Sequence, residues 1–327
     1  MSGKPYLLKR YYALALDPIH VGAGGARLER VDLPIIREPG TNLPKIPGTS
    51  ISGPARTYTA IQTGRYRWRK DGKEYFCAGR GGEGGENHCG IVNPACPVCV
   101  PYGFSKGSGN SLQGLAQFFD AHILFFPVAS LAGTIWVTSP MALGDLGLDS
   151  EFKAPENGFI PLGDYLQDRK ELNFGWIMLP KGEGSGDLSR ISEEGFIKIP
   201  GIIKQRAVLV SDGLFSRIVN SNLEVRTSVS IDPATGAAEE GALFTYEAIP
   251  RGTVLRFDVI YNSGTYFRVG SNELKTEEGT DVDPEWVKIQ VEKGLKLFET
   301  LGIGGMGTRG MGRLKIINLE GGIANGG

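Results

Sequence analysis

All four cysteines of this chain fall in one short stretch, Cys77-x11-Cys89-x6-Cys96-x2-Cys99. The residues that lead on from the first of them, Ala78-Gly79-Arg80-Gly81-Gly82-Glu83-Gly84-Gly85-Glu86-Asn87, have no apolar periodicity and little to bury. A segment of this kind needs a staple. Four thiolates around one tetrahedral Zn²⁺ supply it, and Cys96-Pro97-Val98-Cys99 is the tight turn such sites use. Cys77, Cys89, Cys96 and Cys99 are therefore predicted to hold a structural zinc within an insertion at 65–110. His88 is an alternative ligand to Cys89, and four unligated thiols in a loop are the competing reading.

No apolar run approaches the ~18 residues that cross a bilayer, and the first ten residues lack the apolar core of a signal peptide. These features predict a cytoplasmic protein with no membrane partner, where two disulfides are disfavoured. The 35 basic and 36 acidic residues leave a net charge of -1, so any nucleic-acid surface must be a local patch. With 48 glycines and 19 prolines in 327 residues, turns and loops are abundant and an all-helical bundle is excluded.

Along the chain, 9–16 is strand-like and ends at Asp17-Pro18. His20 then opens a loop whose Gly22, Gly24 and Gly25 suit close approach to a phosphate. A helix is predicted over 51–61, capped by Thr49 or Ser50 with Pro54 in its first turn, and its N-terminus offers free N–H groups to an anion. Arg65-Tyr66-Arg67-Trp68-Arg69-Lys70 alternates cations with rings. The apolar stretches 114–128 and 133–139 are the expected core, with Asp120 and His122 structural. Residues 144–201 are loop-rich and irregular, with 181–186 expected to be mobile. Two strand-like segments, 225–231 and 242–249, flank the turn Asp232-Pro233-Ala234-Thr235-Gly236 and predict a hairpin. A strand at 254–261 precedes a helix at 284–301, with Trp286, Ile289, Leu295 and Leu297 at apolar positions.

That helix runs into Gly302-Ile303-Gly304-Gly305-Met306-Gly307-Thr308-Arg309-Gly310-Met311-Gly312-Arg313, which has neither the Gly-Lys-Ser/Thr of a phosphate loop nor the strand-to-helix setting of a dinucleotide fingerprint. Its glycines permit positive φ and close backbone approach, and Arg309 and Arg313 supply charge. An ordinary tight turn has the same composition.

This C-terminal helix, glycine-rich loop and basic last strand resemble those of the RAMP superfamily of CRISPR proteins. Val31-Asp32-Leu33-Pro34-Ile35-Ile36-Arg37-Glu38 and Pro44-Lys45-Ile46-Pro47-Gly48-Thr49-Ser50 resemble the N-terminal block of the backbone subunit of type III effector complexes. The stretch 118–128, running on to Trp136-Val137-Thr138-Ser139-Pro140, is similar to the type III-B, or Cmr, form. The resemblance implies an α+β fold: a single RAMP domain over 1–327, with a ferredoxin-like, RRM-type palm, a zinc-bearing fingers insertion at 65–110, an irregular insertion at 144–201 and a thumb β-hairpin at 225–249. It implies guide CRISPR RNA and target RNA as partners, together with further copies of the chain and other effector subunits.

On that resemblance the guide backbone is held by Gly305, Gly307, Thr308, Arg309, Gly310 and Arg313, and by Gly48, Thr49, Ser50, Ser52 and Arg56. His20, Gly22, Gly24 and Arg37 are further RNA contacts, and Leu243, Phe244 and Tyr246 on the hairpin face displaced bases. Asp32 occupies the position of the acidic residue used in cleavage of target RNA, with Mg²⁺ or Mn²⁺ as the metal. Where the family usually carries a lysine this chain has Ser52, and the cysteine-bearing insertion is more typical of type III-A and III-D relatives. Three readings follow: a guide-binding backbone subunit that is also an endoribonuclease, the same scaffold without nuclease activity, and a zinc-stabilised RNA-binding domain of unknown target. A Ser-His-Asp hydrolase is not supported, because His20, His88 and His122 have no motif placing them beside a nucleophile.

Overall fold

The computed structural model describes residues 4–24, 31–79, 81–107, 109–144, 146–147, 151–238 and 243–319. The chain opens with β1 (Tyr6–Ala15), β2 (Lys45–Ile46) and α1 (Gly48–Gln62). It then enters an excursion made of β3 (Trp68–Lys70), β4 (Lys73–Tyr75), α2 (Cys99–Tyr102), β5 (Phe104–Ser105) and β6 (Ser111–Leu112). It returns through β7 (Ala116–Phe118), β8 (Ala121–Ser130) and β9 (Gly133–Thr138). A second excursion carries α3 (Pro140–Gly144), β10 (Ile160–Pro161), β11 (Glu171–Phe174), β12 (Ile177–Pro180), α4 (Glu194–Ile197) and α5 (Gly201–Gln205). β13 (Ala207–Leu209) and α6 (Asp212–Ser221) lead to the hairpin of β14 (Glu224–Ser228) and β15 (Phe244–Ala248), then to β16 (Val254–Asn262). The short β17 (Arg268–Val269) and β18 (Asn272–Glu273) precede α7 (Pro284–Lys296), α8 (Phe298–Leu301) and β19 (Leu314–Ile316).

The main sheet runs β10-β13-β9-β8-β16-β1-β19, with β2 also on β8 and β7 also on β16, so the fold is mixed α+β. Side chains alternate across each strand, and β1 shows it. Tyr11, Ala13 and Ala15 join the large core, whereas Tyr12 joins a second core on the opposite face. In β8 the alternation breaks at a bulge, where Val254 pairs with Phe125 but Leu255 pairs with Ile123. The extra residue turns both Leu124 and Phe125 to the second core, while Ile123 and Phe126 face the first.

Helices α1 and α7 cover the first face. Local signals start α7: Asp283 caps it by accepting from the Trp286 N–H at 2.7 Å, and Pro284 stands at its first turn. Val287, Val291 and Leu295 face the core, but Ile289, read from the sequence as an apolar contact, is exposed. Gly294 permits the crossing, since a Cβ there would lie 2.2 Å from the Ala55 carbonyl oxygen.

The second face is covered by the segment expected to be irregular loop. Phe152, Ile160, Leu188, Ile191, Phe196 and Ile199 from 144–201 pack on Tyr12, Phe125 and Leu209. Residues 181–185 are tied by backbone hydrogen bonds to Lys153, Phe159 and Lys170, a paired segment in place of the mobile loop expected from its glycines. Among the described residues no helix is long and apolar enough to cross a membrane.

The start of α1 corrects a second expectation. The helix begins at Gly48, neither Thr49 nor Ser50 caps it, and Pro54 stands inside it. Its first N–H is donated instead to Asp120 Oδ1 at 2.8 Å, from the turn between β7 and β8, and Lys45 Nζ lies 2.8 Å from the other oxygen. Gly48 is buried against β7, where a Cβ would meet the Phe118 carbonyl oxygen at 2.3 Å. The tertiary carboxylate thus replaces a local cap.

Burial pushes the Asp120 carboxyl up, but Lys45 and the Gly48 N–H outweigh it and hold it below the ordinary value. A depressed carboxylate adds stability above its unfolded pKa of ~3.9, and that stability disappears as pH falls through the lower folded value. Asp120→Asn keeps an acceptor for the Gly48 N–H but removes the negative charge facing the helix N-terminus and Lys45, and is expected to lower unfolding free energy by roughly 0.3 to 1 kcal/mol at pH 7. Urea titrations at falling pH should show the two proteins converge below the aspartate range; a gap that persisted there would assign the effect to packing.

Candidate nucleic-acid surface and metal centre

Strand registers bring three loops to one edge. β1 ends at Ala15, opposite Leu314 of β19, and Leu14 stands opposite Val254 of β16. The N-terminal loop leaving β1, the hairpin preceding β16 and the glycine-rich loop preceding β19 must therefore meet there. His20 is where they join. It is buried, its Nδ1 donates to the Glu247 carbonyl at 2.6 Å, its carbonyl accepts from the Gly305 N–H at 2.8 Å, and its ring packs edge-on against Tyr246. The RNA contact expected of His20 is thus replaced by an internal role.

The glycine-rich loop has a closed neck and an exposed tip. Ile303 N–H donates to the Gly312 carbonyl at 2.9 Å, and a Cβ on Gly312 would meet the Ile303 oxygen at 2.3 Å. Gly304, at φ +78°, would meet the His20 oxygen at 2.5 Å. The backbone that these glycines admit belongs to the chain itself. Gly305, Gly307, Thr308, Arg309 and Gly310 are all exposed at the tip, with nothing within 4 Å of a Cβ on Gly307 or Gly310. Gly22 and Gly24 are exposed across the same corner, and Gly25 lies outside the described residues.

The hairpin forms as expected, with Thr227 opposite Thr245 and Arg226 opposite Tyr246; Ala242 lies outside the described residues. Phe244, Tyr246 and Ala248 point one way and join Met306 and Met311 in a small third core shared with the glycine-rich loop. Arg309 sits over the Phe244 ring at 5.3 Å. Leu243 is 65% exposed and Phe244 half-buried, but Tyr246 is only 4% exposed. Tyr246 thus anchors the hairpin root and offers no face to a base. Val225, Val229 and Ile231 add exposed apolar side chains farther out.

Thr245 and Glu247 point to the other side, toward Asp32 and Arg37. Asp32 is exposed, and the Thr245 N–H, then the Thr245 hydroxyl, hold its carboxyl below the usual range, so it is ionised at neutral pH. Arg37 is bound within the fold: it donates to Asn220 at 3.0 Å, to the Ile35 carbonyl at 3.0 Å and to Glu247 at 2.8 Å.

Arg56 is partly buried and much of its guanidinium is engaged within the fold. Its Nε donates to the Cys77 carbonyl at 2.7 Å and its Nη1 to the Gly103 carbonyl at 2.8 Å, so it ties α1 to the cysteine-bearing insertion. Arg313 pairs with Asp17 at 2.6 Å, but that pair is exposed. Solvent and salt screen an exposed pair of this kind, so it holds Arg313 only weakly. On α1, Thr49 is exposed and Ser50 and Ser52 are partly so, beside a cleft of about 230 Å³ whose lining includes Gly48, Thr49, Ser52, Arg56 and Phe118.

The four cysteines converge. All are buried, and their sulfurs lie within 4.8 Å of one another, with Cys89–Cys99 at 3.6 Å and Cys77–Cys96 at 3.9 Å. Those separations exceed a disulfide bond and match the edge of about 3.8 Å that a tetrahedron of 2.3 Å Zn–S bonds requires. The Cys99 N–H donates to Cys96 Sγ at 3.5 Å and Trp68 Nε1 to Cys77 Sγ at 3.4 Å, the outer donors that thiolate ligands take. His88 is not among the four. Its Nδ1 lies 3.1 Å from the Phe76 carbonyl and 3.2 Å from Arg56, and burial, then the Arg56 cation, hold the ring below the usual imidazole range. Cys77, Cys89, Cys96, Cys99 and their neighbours Val92, Ala95 and Val98 also join the main core, more burial than the glycine-rich sequence foretold.

Known proteins share the fold. A curated relative, the CRISPR system Cmr endoribonuclease Cmr4 of Pyrococcus furiosus, is 27% identical over 303 residues, covering 83% of this chain and 92% of that protein. Among solved structures, a chain of the type III-B Cmr-beta assembly bound to cognate target RNA superposes with a TM-score of 0.59 at 14% identity, covering 95% of this chain and 96% of that one. Oligomeric Cmr4 from Pyrococcus furiosus gives 0.53 at 20% identity, covering 97% and 100%. At such identities the superpositions speak to fold. The RAMP superfamily model matches residues 13–315, nearly the whole described fold, and the chain belongs to that superfamily.

Proposed function

We propose that this chain is the backbone subunit of a type III-B CRISPR effector complex, similar to Cmr4, and that it holds guide RNA and target RNA across the edge built by its three loops. The observation that carries this reading is the convergence of an exposed glycine tip with Arg309, an apolar hairpin and an ionised Asp32 on one corner. The order β1–α1–β8–β16–α7–β19, with sheet order β19-β1-β16-β8, supports a ferredoxin-like palm. We read the chain as one RAMP domain, with 65–110 and 144–201 as insertions and 225–249 as the thumb. Copies of the chain stack along the guide together with other effector subunits.

In this reading Gly305, Gly307, Thr308, Arg309, Gly310 and Arg313 contact the guide backbone, with Thr49, Ser50 and Ser52 beside the α1 cleft. Backbone contacts carry no base information. Leu243 and Phe244 stack on displaced bases, which tolerates any sequence. Asp32 serves cleavage of the target: a splayed nucleotide can place its own 2′-hydroxyl in line with the phosphate. A hydrated Mg²⁺ or Mn²⁺ held by that carboxylate would stabilise charge on the phosphate. Among the described residues Asp32 belongs to no cluster of three or more His, Cys, Asp and Glu side chains close enough to share one metal ion.

The test is purification of the assembled protein with its RNA. Repeat-derived guides of varied spacer sequence should co-purify. Arg309→Ala with Arg313→Ala should weaken guide binding and flatten its salt dependence by roughly 0.7 to 1 per lost phosphate contact in the log–log slope. Binding unchanged at raised salt would remove the loop from the RNA path.

The cysteine cluster is proposed to hold one structural Zn²⁺. Metal analysis should give about one zinc per chain, and Cys96→Ser should lower that content while the main sheet stays folded, because the sheet's two cores are built largely from other residues. Hydrogen exchange should then rise within 65–110 first. Zinc-free protein with unchanged protection there would contradict the assignment.

A further inference from the structure

Thr245 holds the Asp32 carboxylate but has no part in the RNA contacts proposed above. It lies on β15 between Phe244 and Tyr246, whose rings face the glycine-rich loop, so its own side chain faces the N-terminal loop. There it makes an unusually complete set of contacts with one residue. Its N–H donates to Asp32 Oδ2 at 2.7 Å, its hydroxyl donates to the same oxygen at 2.9 Å, and the Asp32 N–H donates to Thr245 Oγ1 at 3.1 Å. The backbone beside them is also fixed. Leu33 N–H donates to the Thr245 carbonyl at 3.0 Å and Glu247 N–H to the Leu33 carbonyl at 3.1 Å, so a parallel bridge between Leu33 and Tyr246 ties the Asp32 segment to β15.

A free surface aspartate moves among several staggered rotamers. Two donors on Oδ2 select one of them, and Oδ1 is left without a hydrogen bond to any described residue. The carboxylate is thereby tied directly to the hairpin proposed to meet RNA.

We infer that Thr245 is a positioning residue, whose hydroxyl fixes the Asp32 carboxylate in the orientation used for RNA cleavage. The inference rests on the reading of Asp32 given above. Thr245 touches neither the substrate nor the reacting atoms; it acts through Asp32. Valine at this position keeps the branched shape and the backbone N–H but removes the hydroxyl, whereas serine keeps the hydroxyl.

The experiment uses complexes assembled from the full chain on guide RNA, with single-turnover cleavage of a matched target and target affinity measured side by side. Thr245→Val is expected to slow cleavage by roughly 10- to 100-fold, as loss of an orienting contact does, with target Kd unchanged. Thr245→Ser should return the rate to within a few-fold of wild type. If the valine protein does not assemble, Thr245→Ala in the same two assays carries the same expectation. Cleavage by Thr245→Val at the wild-type rate overturns the inference, as does Thr245→Ser as slow as valine, or a loss of target affinity equal to the loss of rate. Asp32→Ala separates the two claims. If it still cleaves, the reading of Asp32 falls and the role of Thr245 with it; if it is inactive while Thr245→Val is fully active, only Thr245 is wrong.

Discussion

Pairing of β1 with β16 on one side and β19 on the other is the constraint from which the rest follows. It places Leu14 opposite Val254 and Lys315, so the loops that leave or enter these strands share one end of the sheet. A slip of one residue would exchange Tyr11 and Tyr12 between the two cores. Both tyrosines are fully buried, and each closes a polar network: Tyr11 with Tyr261 and Glu292, Tyr12 with Glu193. Burying these hydroxyls unpaired on the wrong face would add a desolvation penalty to the lost packing, so the register is strongly fixed.

Given that register, close approach does the remaining work at the corner. His20 can sit beneath the glycine-rich loop because Gly304 and Gly305 carry no side chain above it, and Gly22 leaves room for its Nε2. The polar groups at the loop's neck are consumed internally, while its tip keeps free space. Arginines divide in the same way. Arg37 and Arg56 are spent on carbonyls and on Glu247, which makes them struts, whereas Arg309 and Arg313 stay at the exposed rim.

Much of this was legible in the sequence, for physical reasons that can be named. The cysteines were legible because thiols confined to one polar segment have few other uses, and the hairpin because Asp232-Pro233-Ala234-Thr235-Gly236 divides two strand-like runs. The second core was not, because Phe152, Ile160, Phe196 and Ile203 follow neither helical nor strand spacing and converge only in the folded chain. The Asp120 cap was hidden because its partner, Gly48, is distant in sequence, and a carboxylate in a turn gives no sign of what it will accept. Charge pattern likewise could not tell Arg56 from Arg309, since the distinction lies in which carbonyls surround each guanidinium. Thr245 carried no signal, being an ordinary strand residue until Asp32 lies beside it.

The central claim is that RNA runs over the corner shared by the glycine-rich tip, the hairpin and the N-terminal loop. Ultraviolet crosslinking of the assembled complex, with peptide mapping by mass spectrometry, addresses it directly. The account predicts crosslinks to guide RNA within 304–310 and at Leu243 or Phe244, with none at Tyr246 or Arg37. Crosslinks concentrated on the cysteine-bearing insertion or on the 144–201 face, with the corner unmarked, would contradict it.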